Sequence, residues 1–248
     1  MMFPGEAGTA ITPRLRRDAV LAVALTAAAM LALLIGQMAH PLQFAQSLLP
    51  FALIGGFLIR GLSHHAPHTR FGAANLVTLL RAAGVCLLAG LIGRVEEAAN
   101  LGWLLPLTAL AILALDGLDG WLARRLGLVS AFGARFDMEV DGFLILVLCL
   151  LVAEGTAAGP WVVLCGALRY LFLAWLTLMP RYDRPLPPSL RRKSVFVVQA
   201  IALVAALVPG LPDFAATALA ALATGLVTAS FAIDSLFLYR TERKERTL

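Results

Sequence analysis

The sequence predicts an all-α protein, a polytopic transmembrane helical bundle of about eight helices. Hydrophobic residues make up 60% of the 248 positions and charged residues only 14%, whereas a soluble domain usually has about 45–50% apolar and about 25% charged residues. The apolar residues fall in long runs separated by short polar loops, and the lysines and arginines are concentrated in alternate loops. Since open sheets cannot satisfy their backbone hydrogen bonds in lipid, a helical bundle is the architecture that remains.

Eight apolar runs approach the length of a spanning helix, which needs about 20 mainly apolar residues. In chain order they are 19–38, 43–62, 74–93, 99–121, 138–154, 159–179, 194–209 and 213–238. The first follows a basic leader, as a signal peptide would, but its length exceeds the roughly 7–15 residues of a signal h-region. We therefore expect it to be retained as a helix.

The distribution of basic residues predicts the orientation of the bundle, because cytoplasmic loops carry an excess of Lys and Arg. With the N-terminus inside, the inside segments hold nearly all of these residues and the outside loops hold only Arg94. We expect a multi-pass protein of the inner (cytoplasmic) membrane with both termini on the cytoplasmic side. The net charge of +5 then reflects topology and attraction to anionic lipid, and no nucleic-acid partner is expected.

Four aspartates lie where the fourth and fifth predicted helices approach the inner face. Asp116 and Asp119 are three residues apart, and Asp137 and Asp141 are four apart, so each pair shares one face of its helix. A short connection allows the two helices to be antiparallel neighbours, which would bring four mutually repelling carboxylates together. Two divalent cations would balance them. Oxygen ligands favour Mg²⁺ or Mn²⁺, and two such ions are a common arrangement for displacement at phosphorus.

Small and basic residues near the aspartates fit a phosphate-bearing ligand. Gly120 and Ala123 follow Asp119 and would let a bulky ligand approach the backbone. Arg124 is placed to pair with a phosphate. Gly133 lies one turn before Asp137, where a larger side chain would crowd the site.

These residues form one continuous pattern, which resembles the full signature of the CDP-alcohol phosphotransferase (CDP-alcohol phosphatidyltransferase) family. All eight signature positions match: Asp116, Asp119, Gly120, Ala123, Arg124, Gly133, Asp137 and Asp141. The resemblance implies an N-terminal extension with two transmembrane helices (1–70), a six-helix core (71–240) and a basic cytoplasmic tail (241–248).

The resemblance also implies an activity, which is phosphatidyl transfer in phospholipid biosynthesis. Such an enzyme moves a substituted phosphate group from a CDP-alcohol, here CDP-diacylglycerol, to the hydroxyl of a small polar acceptor and releases CMP. Asp116, Asp119 and Asp137 are the implied metal ligands, and Asp141 is the implied base that also contacts a metal. Asn75, Thr78 and Arg81 open the third predicted helix much as family members open their first core helix. The expected CDP-binding residues are Asn75, Thr78, Asp116, Asp119, Gly120, Ala123, Arg124 and Gly133.

The acceptor pocket is predicted from fewer residues. Lys193 and Gln199, six positions apart, resemble a basic-then-amide motif at the start of the fifth core helix, although Phe196 replaces a frequent threonine. Arg169 is a charge inside an apolar helix, for which a functional role is the default hypothesis, and Arg135 lies within the signature. These cations favour an acceptor with a phosphate or carboxylate, such as glycerol phosphate, inositol phosphate or serine.

Other hypotheses stay open beside the enzyme. A polytopic ion or solute transporter would also use buried carboxylates, although transporter sites lie near the bilayer midplane and this cluster lies at one face. A catalytically inactive scaffold would be expected to have lost an aspartate. The resemblance also allows a homodimer. Finally, His64, His65 and His68 form an HHxxH pattern in a predicted inner loop, for which we favour a solvated loop over a metal site.

Overall fold

The computed structural model describes residues 12–37, 39–65, 70–126, 130–182, 184, 186–187 and 189–246, without the side chains of residues 119, 122–124, 126 and 244–246. All regular structure in these residues is helical, which confirms the predicted fold class. Three short 3₁₀ helices lie at Leu62–His65, Pro160–Val162 and Pro180–Tyr182. The α-helices are α1 (Pro13–Gly36), α2 (Pro41–Gly61), α3 (Ala73–Ala89), α4 (Val95–Asn100), α5 (Leu104–Leu126), α6 (Ala131–Gly155), α7 (Val163–Leu178), α8 (Leu190–Ala206) and α9 (Asp213–Arg246).

Eight of these helices correspond in order to the eight predicted ones, and the short α4 lies in a predicted outer loop. Among the helix starts, the largest difference is at α6, which begins at Ala131 rather than at residue 138. Hydropathy marks only the apolar part of a helix, whereas the first two turns of α6 contain the charged residues Arg135 and Asp137. Ser130 caps this end of the helix, because its hydroxyl accepts a hydrogen bond from the Gly133 amide. Gly133 and Asp137 therefore both lie on the helix.

Several helices have the length and composition of membrane spans. Among the described residues, four are long and apolar enough to cross a membrane: Pro13–Gly36, Pro41–His65, Pro160–Leu178 and Asp213–Arg243. Ala73–Ala89 and Leu104–Leu118 are shorter apolar helices. Large apolar side chains on the surface, such as Leu53 at 76% and Leu178 at 77% exposed, indicate an apolar environment outside the protein. The helices are those of a multi-pass membrane protein.

The chain forms two compact units. The first contains the described residues up to Ala98 together with Leu107–Leu144. In it α1, α2 and α3 pack against one another, and α2 approaches α3 so closely that a Cβ on Gly90 would lie 2.4 Å from the Ser47 hydroxyl oxygen. Likewise, a Cβ on Gly84 would lie 2.8 Å from Ile112, so α3 also packs tightly on α5. Small residues at such contacts let membrane helices approach closely, and this packing buries one face of α3.

The second unit contains Ala99–Pro106 and the described residues from Ile145 onward. Here α9 packs against α7 and α8. Asp234 on α9 is only 5% exposed and accepts hydrogen bonds from Arg191 at 2.5 Å and from Arg192 at 3.3 Å. The Arg191 guanidinium also donates to the Ser230 carbonyl oxygen at 2.8 Å. These pairs join the start of α8 to α9 and compensate the buried carboxylate.

Candidate metal centre

Three of the four signature aspartates converge within the first unit. Asp116 extends from α5, and Asp137 and Asp141 extend from one face of α6, as their four-residue spacing predicts. One carboxylate oxygen from each of the three lies within 4.8 Å of the others. Their side chains are 26%, 34% and 20% exposed, respectively, so the cluster is partly accessible to a ligand. Asp119 lies on α5, and its side chain is outside the described part of the structure.

A buried arginine from α3 joins the three carboxylates. Arg81 is 0% exposed; its Nη1 lies 3.0 Å from Asp116 Oδ1 and 2.5 Å from Asp137 Oδ1, and its Nη2 lies 2.6 Å from Asp141 Oδ1. Its Nε donates to the Ile112 carbonyl oxygen at 3.2 Å. A planar guanidinium is suited to such branched recognition of carboxylates, so Arg81 holds α3, α5 and α6 in register at this site.

Sequence reasoning did not assign Arg81 to the site. Its only signals were its place three residues after Thr78 and the presence of a charge within an apolar helix, which is unusual enough to indicate a function. Neither signal shows which carboxylates it would contact, since Asp137 and Asp141 are more than 50 positions away in the chain.

The charge balance of the cluster fits a divalent cation. Three ionised carboxylates and one guanidinium carry a formal charge of −2, which one Mg²⁺ or Mn²⁺ would neutralise. The donors are all oxygen atoms, which hard cations prefer. Arg81 contacts one oxygen of each carboxylate, and each carboxylate has a second oxygen. Asp116, Asp137 and Asp141 therefore have the chemistry and spacing to hold a metal.

Two predicted nucleotide-binding residues lie on α3, and one of them, Asn75, lies beside the first turn of α6. Asn75 and Thr78 are 6% and 3% exposed; their side chains donate to the carbonyl oxygens of Phe71, at 2.6 Å, and of Ala74, at 3.1 Å. A Cβ on Gly133 would lie 3.0 Å from Asn75 Oδ1. α6 therefore approaches α3 closely at Gly133, whereas its predicted role in nucleotide binding stays a prediction.

The remaining predicted nucleotide-binding residues lie on α5. Gly120 is half-buried. Ala123 and Arg124 belong to the same helix, and their side chains are outside the described part of the structure. The backbone thus places all three on the helix that carries Asp116.

One histidine of the HHxxH pattern is buried against the start of α6. His65 is 1% exposed; its Nδ1 lies 2.9 Å from Ser130 Oγ and its Nε2 lies 3.1 Å from the Arg70 carbonyl oxygen. The expectation of a solvated loop is therefore wrong for His65, because the 3₁₀ turn after α2 packs on the N-terminus of α6. His64 is half-buried, and His68 lies outside the described residues.

The predicted acceptor residues are divided between the two units. Arg135 is half-buried on α6, in the first unit, two positions before Asp137. Arg169, on α7, and Lys193 and Gln199, on α8, belong to the second unit. Lys193 is exposed, whereas Gln199 is buried and its amide oxygen lies 3.9 Å from the Cys165 sulfur. Acceptor binding by these four residues stays a prediction.

Comparison with known proteins gives one match. Residues 71–230, well over half of the chain, match the family model described as CDP-alcohol phosphatidyltransferase. No curated protein and no solved structure matched. The matched range contains Arg81 on α3, Asp116 on α5, and Asp137 and Asp141 on α6, which together form the cluster described above. The chain therefore belongs to the CDP-alcohol phosphatidyltransferase family.

Proposed function

We propose that the chain transfers a phosphatidyl group from CDP-diacylglycerol to the hydroxyl of a small polar acceptor, in phospholipid synthesis, and releases CMP. The observation that supports this most strongly is the convergence of Asp116, Asp137 and Asp141 within 4.8 Å in a member of this family. In the reaction the acceptor oxygen bonds to the phosphorus that bears diacylglycerol, and the bond from that phosphorus to the oxygen of CMP breaks.

Asp116, Asp119, Asp137 and Asp141 are the proposed ligands of two Mg²⁺ or Mn²⁺ ions. When bound, the ions would neutralise the diphosphate and the leaving CMP. Arg81 contacts Oδ1 of three of these carboxylates and thereby fixes the direction in which each second oxygen points. The protein thus supplies a preformed set of metal-binding oxygen atoms. Little reorganisation of these side chains is therefore needed when the metal ions and CDP-diacylglycerol bind.

Asp141 is the proposed general base. A base must lie within hydrogen-bond reach of the acceptor hydroxyl, and Asp141 lies on the same helix face as Asp137, one turn further along. Oδ1 of Asp141 accepts a hydrogen bond from Arg81 Nη2 at 2.6 Å, which fixes the position of this carboxylate beside Asp137.

Different residues are proposed to bind the two substrates. Asn75, Thr78, Gly120, Ala123, Arg124 and Gly133, with Asp116 and Asp119, would contact the CDP group. Arg135, Arg169, Lys193 and Gln199 would contact the acceptor, and their cations favour one that carries a phosphate or carboxylate. The distribution of Lys and Arg supports an active site and both termini on the cytoplasmic side of the inner membrane.

Removal of divalent metal tests the proposal. We expect purified protein in detergent to release CMP from CDP-diacylglycerol with Mg²⁺ and a suitable acceptor, to lose this activity in EDTA, and to regain it with Mg²⁺ or Mn²⁺. Ca²⁺, which prefers more ligands at longer distances, should restore much less. Undiminished CMP release in excess EDTA would show that the carboxylates act without metal and would refute this mechanism.

Gly133 provides a second prediction, which concerns donor binding. A Cβ there would lie 3.0 Å from Asn75 Oδ1 and 3.2 Å from Ser130 Oγ, so a valine should displace α6 from α3. We expect Gly133→Val to raise KM for CDP-diacylglycerol by about tenfold or more, since small displacements of positioned groups have large kinetic effects.

Gly117 is the matched control for this substitution, since a Cβ there would meet nothing within 4 Å. Gly117→Val should keep KM within about twofold of the wild type, as expected for a substitution into open space. Equal KM values for Gly133→Val and the wild type would remove Gly133 from the proposed nucleotide site.

A further inference from the structure

We propose that His65 is a positioning residue for the metal centre, which it influences through Ser130 and the first turn of α6. His65 precedes the family-matched range of 71–230, so this role would belong to the N-terminal extension. The inference rests on the proposed function for its kinetic consequences, but the metal-binding consequence can be measured separately.

The hydrogen bonds of His65 define its tautomer. The Arg70 carbonyl oxygen can only accept, so the Nε2 that lies 3.1 Å from it carries the ring proton. In the neutral ring Nδ1 is then an acceptor, and the Ser130 hydroxyl at 2.9 Å donates to it. The same Ser130 oxygen accepts from the Gly133 amide at 3.0 Å. His65 thus orients the hydroxyl whose oxygen caps α6.

Ser130 holds the beginning of the helix that carries two of the aspartates. Besides the bond to its side chain, the Ser130 carbonyl oxygen accepts from the Ala134 amide at 3.0 Å. The side-chain bond satisfies the Gly133 amide, which the first turn of a helix would otherwise leave without a partner, and the carbonyl bond is the first one within the helix. Asp137 follows Gly133 by four residues, one helical turn, and Asp141 follows by one turn more. A change at the cap therefore changes the direction of the segment that presents both carboxylates.

Packing connects His65 to the same turn. Its ring meets the Phe132 ring edge-to-face, with centroids 5.6 Å apart, and Phe132 stacks on Phe136 at 6.1 Å. Phe132 and Phe136 are 0% and 1% exposed, and Phe136 is adjacent to Asp137. The contact of Gly133 with Asn75 lies on the same turn. The start of α6 is therefore held in place by Asn75 of α3 and by His65 of the N-terminal extension.

Two conservative substitutions separate the two hydrogen bonds of His65. The amide oxygen of asparagine takes about the place of Nδ1, so His65→Asn keeps an acceptor for Ser130 and loses the bond to Arg70. The amide nitrogen of glutamine takes about the place of Nε2, so His65→Gln keeps the bond to Arg70 and loses the one to Ser130. His65→Ala and Ser130→Ala each remove one partner of the hydrogen bond between His65 and Ser130. His64→Ala is the control, since His64 is the adjacent histidine and is half-buried.

The first measurement is Mn²⁺ binding to each purified variant in detergent, followed by electron paramagnetic resonance of the free ion. We expect His65→Ala, His65→Gln and Ser130→Ala to weaken binding by about tenfold, the size of effect typical for partners of metal ligands. His65→Asn and His64→Ala should stay within about twofold of the wild type. The double variant His65→Ala with Ser130→Ala should bind no more weakly than either single variant, since both remove the same contact.

The second measurement is CMP release as a function of Mg²⁺ concentration. The variants that lose the Ser130 contact should need about tenfold more Mg²⁺ for half-maximal activity, whereas kcat at saturating Mg²⁺ should fall by less than about threefold. A merely structural role would lower melting temperature and active fraction in all His65 variants without a selective shift in Mg²⁺ requirement.

The outcomes distinguish this proposal from the proposed function. Wild-type Mn²⁺ affinity in both His65→Gln and Ser130→Ala overturns the positioning role, as does normal binding by His65→Gln together with weak binding by His65→Asn. Absence of CMP release from the wild-type protein with every acceptor would refute the proposed function, whereas the Mn²⁺ titrations would still decide the role of His65.

Discussion

Replacing Asp141 with Asn is expected to lower CMP release by about 10³-fold or more. The substitution keeps the size and the hydrogen-bonding oxygen of the side chain but removes the charge that would accept the proton and contact the metal. Loss of a general base typically costs about 10²–10⁴-fold, and loss of a metal ligand adds to this. Because Asp141 is proposed to contact the reacting hydroxyl rather than the nucleotide, binding of CDP-diacylglycerol should change by less than about tenfold.

Glu139 is the matched control for Asp141. It lies on α6 two positions from both Asp137 and Asp141, and it is half-buried as Asp141 is. Two residues of separation turn it away from the face that those aspartates share. Glu139→Gln should retain activity within about twofold. Turnover by Asp141→Asn within tenfold of the wild type, at equal protein stability, would exclude Asp141 as the base.

Replacing Arg81 with Ala is expected to impair both folding and activity. The side chain is fully buried and is the cation that three carboxylates share. Removing one partner of a buried ionic cluster typically costs about 3–5 kcal/mol, because the remaining charges are left uncompensated. We expect a large fall in melting temperature in detergent and a loss of CMP release of more than about 100-fold, since α3, α5 and α6 lose their common contact.

Two further variants make the Arg81 prediction specific. Arg81→Lys keeps the charge but cannot bridge three carboxylates with a planar group, so its melting temperature should lie between those of the wild type and Arg81→Ala. Arg60→Ala removes an exposed arginine from the end of α2 and should change the free energy of unfolding by less than about 0.5 kcal/mol. An Arg81→Ala protein as stable as the Arg60→Ala protein would show that the Arg81 ion pairs contribute little.

The sequence predicts the backbone of the site better than its side-chain contacts. The order of the eight longer helices follows from hydropathy, and the convergence of Asp116, Asp137 and Asp141 follows from their spacing on two consecutive helices. Both are local patterns. The bridging role of Arg81 depends on how α3 packs against α5 and α6, which is a property of the tertiary structure.

The N-terminus of α6 and the environment of His65 were mispredicted for related reasons. The segment that follows Ser130 contains Gly133, Arg135 and Asp137, which lower its hydropathy, so the predicted apolar run began at residue 138. The hydroxyl of Ser130 also contacts His65, which is buried although it lies in a histidine-rich stretch between two helices. A search for N-capping residues before Gly133 would have corrected the start of α6. The burial of His65, in contrast, depends on how the turn after α2 packs in the tertiary structure.

A direct assay of phosphatidyl transfer would test the proposed activity most decisively. Purified protein in detergent would be incubated with CDP-diacylglycerol, Mg²⁺ and each of glycerol phosphate, inositol phosphate, serine, choline and ethanolamine, and both CMP and the lipid product would be quantified by mass spectrometry. We predict equimolar CMP and phosphatidylated product with one acceptor that bears a phosphate or carboxylate, and neither product from the Asp141→Asn variant. Absence of both products with every acceptor, or CMP release at the same rate in the wild type and Asp141→Asn, would contradict the proposed function.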